Sequence, residues 1–170
     1  MSNMKTLFSF LLALVLATAS QAQSAKTTAD EKAVLQVLEG TVDAWNKHDL
    51  NLYFRHFAPE AQWVNVVGMW WQNTSEHRYA LDIFMQLMFN KTKHTTLRSE
   101  VRMLRPDLAL VRSAWKLDGW VMPDGKDMSD VSTGVLTMIM EKRKGQWLVI
   151  DGHNTSIDKK AQDPVLTMKK

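Results

Sequence analysis

The order of patterns along the chain predicts an α+β domain: a cone-shaped barrel of three N-terminal helices wrapped by a curved, mainly antiparallel sheet. Three observations carry this. Apolar residues recur at helical spacing up to about residue 89, alternate at strand spacing from about residue 95 to 157, and the later strands are joined by short hairpin signals. A run of long, twisted strands must curl, and a curled sheet covers helices with one face and leaves a hollow at its wide end.

The ends come first. Lys5, the apolar run from Leu7 to Ala17 and the small-residue pattern Ser20-Gln21-Ala22 read as a signal peptide over 1–22. Ala17-Thr18-Ala19 offers a second cleavage pattern. The run is shorter than the roughly 20 apolar residues of a membrane span. The expected product is exported, periplasmic or secreted, with no membrane contact once the signal is removed. The chain has no cysteine, which excludes a lipoprotein anchor and a disulfide framework. Residues 23–29 read as a flexible segment, 30–157 as one domain and 158–170 as a tail. About 148 residues after cleavage suffice for one sizeable core, burying roughly 68 to 70 per cent of the unfolded surface. The net charge of +3 includes Lys5, and the basic residues are interspersed with acidic ones, a pattern that does not imply nucleic acid. Seven tryptophans and eleven methionines are a heavy bulky-apolar load, enough to line a cavity as well as fill a core.

Thr28 and Glu31 fit a capping box opening the first helix. Its stripe is Val34, Leu35, Leu38, Thr41, Val42 and Trp45, with Trp45 expected deep inside. Asp49 is placed to cap a short second helix bearing Leu50, Tyr53, Phe54 and Phe57, which Pro59 should stop. From Ala61 to Val67 the chain alternates, with Trp63, Asn65 and Val67 on the expected inner face. After a turn at Gly68 and the pair Trp70-Trp71, a third helix starts behind Thr74 or Ser75 and runs to about Phe89. His77 shares its face with Ala80, Ile83 and Phe84. Leu97, Val101 and Met103 alternate up to a turn at Arg105-Pro106-Asp107. Leu108 to Leu117, Val131 to Lys142 and Gln146 to Ile157 complete a meander, with a long loop at 119–130 and a tight turn at Lys144-Gly145.

Four blocks in order, Trp45-Asn46-Lys47-His48-Asp49, then Asn65 to Trp71, then Arg105 to Ala109, then Gly145-Gln146-Trp147 leading to Gly152-His153-Asn154-Thr155, resemble the SgcJ/EcaC family of SnoaL-like proteins, in the nuclear-transport-factor-2-like superfamily. The resemblance covers about Asp30 to Thr155. It implies the cone-shaped fold and a homodimer paired through the outer face of the sheet. Relatives include isomerases, cyclases and dehydratases of small hydrophobic molecules as well as proteins that only bind or only dimerise. Where that family often has Gly-Arg before the third helix, this chain has Asn73-Thr74, which removes an Arg that could meet an anionic ligand.

Alternation places Trp147, Val149, Asp151, His153 and Thr155 on one side of the last strand. His77 and His153 are therefore the candidate catalytic pair, since two imidazoles near pKa 6.5 can pass a proton at neutral pH. Trp45, Trp63, Asn65, Trp70, Phe84, Trp115 and Asn154 are the expected pocket residues, with Trp70 and Trp71 also readable as a plug at the mouth. His48 and His56 read as surface residues and His94 as a strand edge. No pair of histidines has metal-ligand spacing and no glycine-rich dinucleotide turn follows a strand, so neither metal nor cofactor is expected. Three functions remain open: binding a small, largely apolar molecule, proton-transfer catalysis by the two histidines, or a non-catalytic dimerisation module.

Overall fold

The structure is a computed structural model that describes residues 29–158. The expected signal peptide, Thr28 of the expected capping box, nearly all of the 23–29 segment and the tail beyond Asp158 lie outside the described residues. Helix α1 (29–46) turns Val34, Val37, Leu38, Thr41 and Ala44 inward, leaving Leu35, Val42 and Trp45 half-buried at the margin. Its first turn is anchored to the sheet, because the Asp30 carboxylate accepts from Lys142 Nζ at 2.5 Å. Helix α2 (Leu50–Phe54) is capped as expected: Asp49 Oδ1 accepts from the amides of Asn51 and Leu52 at 2.9 and 3.0 Å.

Strand β1 (Phe57–Val64) begins four residues earlier than its alternation suggests, and Pro59 lies within it. Its pairing with the last strand jumps between Phe57 and Gln62, so Pro59 occupies an irregular, exposed stretch where no ladder donor is missed. Strand β2 (Trp70–Trp71) is the short outer edge. Helix α3 (Thr74–Phe84) is capped by Asn73, one residue before the expected caps. It passes into a π-helical turn, Met85–Phe89, and buries His77, Leu81 and Met85. Ile83 and Leu87 fall on its exposed side.

Strands β3 (Lys93–Arg105), β4 (Leu108–Asp118), β5 (Thr133–Arg143) and β6 (Gln146–Ser156) form the meander. The curved six-stranded sheet has the order β2-β1-β6-β5-β4-β3, and every neighbouring pair is antiparallel except β1 with β6. Its inner face carries Ala109, Val111, Trp115, Leu136, Met138, Met140, Trp147 and Val149, all buried against the helices. Two glycines make room there. A Cβ on Gly152 would stand 2.2 Å from the Trp63 ring, and one on Gly134 2.2 Å from the Trp115 ring.

Candidate functional site

Strand β6 breaks its own alternation. Met140 pairs with Val149 but Ile139 pairs with Asp151, so Ile150 is an extra residue with no partner on β5. Such a bulge inverts every side chain beyond it. Gly152 and Asn154 therefore join Trp147 and Val149 on the inner face, while Asp151, His153 and Thr155 are exposed on the outer one. This corrects the expectation that His153 faces the interior. The sheet itself separates it from His77.

His77 points inward and is 3 % exposed. Its imidazole is the middle layer of a stack, with Trp71 on one side (5.0 Å between ring centroids, 5° between planes) and Trp63 near-parallel to it at 4.9 Å and 19°. Phe54, Phe57 and Tyr53 meet it edge-on at 5.0 to 6.2 Å. No hydrogen bond reaches its ring nitrogens among the described residues. Burial pushes its pKa down to about 3, so at neutral pH it is an uncharged ring in an aromatic box.

The expected pocket residues divide. Trp63 and Trp115 are buried on the inner face, and Trp115 Nε1 donates to Asn154 Oδ1 at 2.7 Å. Phe84 is half-buried and links the Trp71 and Phe89 rings. Trp45 is half-buried rather than deep, and its indole N–H donates to Oγ1 of the buried Thr92 at 3.1 Å. Asn65 is not an inner-face residue of a strand. It follows β1, and its Oδ1 accepts from the amides of Val67 and Met69, building the turn that Gly68 completes with φ +81°. Trp70 is 60 % exposed and donates to Gln62 Oε1, which places it neither in the pocket nor in a plug. His56 is half-buried, its ring lying against Gly40, and its pKa is lowered by burial and then by Arg55.

Other interior groups escaped the sequence reading. His94 is no simple strand edge: its ring packs against Trp45 and Trp115, burial lowers its pKa to about 4, and its buried Nδ1 has no partner among the described residues. Ser113 Oγ on β4 and Trp120 Nε1, just past the end of β4, are likewise buried without partners among the described residues. The Tyr53 hydroxyl makes no hydrogen bond among the described residues, and burial raises its pKa. Alternation does mark Ser113 as inward; nothing in spacing singles out Trp120. Among the described residues, no three His, Asp or Glu side chains gather where they could hold a metal.

The backbone that carries these groups has counterparts of known structure. An uncharacterized protein with a cystatin-like fold from Caulobacter vibrioides is 32 % identical over 81 % of this chain and 98 % of its own, with a TM-score of 0.73. An NTF-2 like protein of unknown function from Shewanella oneidensis MR-1 is 24 % identical over 74 % of this chain and 98 % of its own, with a TM-score of 0.58. The chain belongs with the Caulobacter protein and shares its cystatin-like fold, which is also the fold of the NTF-2 like protein. The NTF2-like fold also appears in the protein named "Putative Scytalone Dehydratase" from Novosphingobium aromaticivorans DSM 12444, at 11 % identity over 79 % of this chain and 88 % of its own (TM-score 0.64). No protein-family model and no curated protein matches the chain.

Proposed function

We propose that this chain is an exported binding domain, of the SgcJ/EcaC type within the NTF2-like superfamily, that holds a small, neutral, largely apolar molecule between its helices and the inner face of the sheet. One observation carries the reading. An interior walled by Trp, Phe and Met keeps polar atoms that no described residue satisfies, at Ser113, His94 and Trp120. A buried unpaired donor or acceptor costs about 1 to 3 kcal/mol, so several in one interior favour a guest that pairs with them. The acid–base alternative is set aside, because His77 and His153 lie on opposite sides of the sheet and cannot reach one atom.

Native mass spectrometry of the protein purified from its own host tests this. The expected spectrum shows a retained neutral organic molecule on a chain beginning at Gln23. A guest-free chain that also takes up no small aromatic compound would overturn the binding reading, and an unprocessed N-terminus the export.

A second reading, compatible with the first, is a homodimer through the outer face. Leu110, Ala114, Ile139 and Leu148 are only half-buried there and Val135 is 38 % exposed, although no described element covers them. Ile139→Arg should halve the mass measured by light scattering while leaving the monomer folded. An unchanged mass would exclude that face.

A further inference from the structure

We infer that the end of the interior where β3 starts and β4 ends recognises a carbonyl-type oxygen of the guest, with Trp120 Nε1 as its donor and His94 Nδ1 as the neighbouring polar contact. This rests on the binding reading above and adds to it the chemistry of the guest.

The two residues belong to one run of touching rings. Trp120 packs on Phe89 at 5.5 Å between centroids, Phe89 on Trp45 at 5.3 Å, Trp45 on His94 at 6.3 Å, and His94 on Trp115 at 6.1 Å. The backbone fixes both. His94 is clamped by Asn46, which accepts from its amide at 2.7 Å and donates to its carbonyl at 3.0 Å. Trp120 follows Gly119, whose φ of +77° and close approach to the Lys91 carbonyl admit no side chain, and its own carbonyl accepts from Met128 N at 3.1 Å. Each ring is thus held in place by bonds that leave its polar nitrogen unspent.

The other two indole nitrogens of this run are already committed. Trp45 Nε1 is bonded to Thr92 Oγ1, Thr92 donates to the Phe89 carbonyl, and Trp115 Nε1 is bonded to Asn154. What remains is selective. Indole N–H donates only, so its complement must be an acceptor, and an uncharged imidazole nitrogen can serve as donor or acceptor according to tautomer. Among the described residues no Lys or Arg stacks on this run of rings to pair with a charged oxygen, and a carboxylate buried there would carry a large desolvation cost. The fitting guest is a neutral ketone, aldehyde, ester or quinone on an apolar body.

The test uses the full mature chain with three probes of similar shape: acetophenone, ethylbenzene, which lacks the oxygen, and benzoate, which carries charge. Binding is followed by calorimetry and by the side-chain N–H resonances of the tryptophans, with Trp120 identified through Trp120→Phe. Acetophenone should bind about tenfold more tightly than ethylbenzene or benzoate and move the Trp120 N–H resonance downfield. Trp120→Phe keeps the ring and should erase that tenfold preference, as should His94→Phe in part, with the melting temperature of each variant recorded to exclude unfolding. Equal affinities for acetophenone and ethylbenzene, with interior resonances shifting but the Trp120 N–H unmoved, would overturn this inference and leave the binding reading standing. Binding of none of the three would remove both.

Discussion

Gly152 and Trp63 show how much of this interior is decided one atom at a time. The indole lies flat across the glycine, and a methyl group at residue 152 would meet ring carbons at 2.2 and 2.3 Å. Backbone on β1 and β6 holds both partners in register, Trp63 opposite Gly152, so neither can retreat without moving the ladder. Because Trp63 in turn forms one face of the His77 stack, the same methyl would disturb the aromatic box. Gly152→Ala should therefore cost about 1 to 3 kcal/mol in denaturant unfolding, the usual scale of overpacking. Replacing Trp63 by Leu in the same chain should recover part of that cost, a coupling that a double-mutant cycle measures. Little of this was legible in the sequence. Trp63 and Trp115 could be assigned inward from alternation, but a glycine in a strand does not announce which ring it seats.

At the scale of elements, legibility followed the regularity of the backbone. The hairpin at Lys144-Gly145 was readable because both residues needed positive φ, and they have it, at 50° and 84°. The four long strands were readable because their period held for most of their length. His153 was misplaced because one extra residue, Ile150, inverts the alternation beyond it, and no residue type marks that bulge. Helix α3 was found but its cap was shifted. Asn73 Oδ1 accepts from Glu76 N at 3.0 Å, while Glu76 Oε2 accepts from Gln72 N at 2.8 Å, so the two side chains satisfy backbone donors on each side of the helix start. Ser75 is exposed and takes no such part. Asn73→Ala should lower unfolding free energy by about 1 kcal/mol, and Ser75→Ala should leave it nearly unchanged, a pairing that equilibrium urea melts can resolve. Equal effects would return the cap to Ser75.

For the molecule as a whole, the histidines make stability a function of pH. His77 and His94 are held in apolar surroundings that disfavour the imidazolium, with pKa values near 3 and 4, and His56 is shifted in the same direction. In the unfolded chain all three return toward about 6.5. Between those values the unfolded state binds more protons than the folded one, so stability falls as pH falls. The loss begins as pH drops through about 6.5 and continues until each group's folded pKa is reached, near 4 for His94 and near 3 for His77. Above about 7 all three are neutral in both states and contribute no slope. His77→Phe is the informative variant. The histidine makes no hydrogen bond among the described residues, so phenylalanine can occupy the slot between Trp63 and Trp71 without leaving a polar partner stranded. Thermal melts from pH 7.5 to 4 should show the parent losing melting temperature steadily below pH 6.5, and His77→Phe losing distinctly less while matching or exceeding the parent at pH 7.5. Parallel curves for the two proteins would mean that the imidazole takes up its proton inside the fold, and that the Trp63 and Trp71 faces stabilise the cation rather than exclude it.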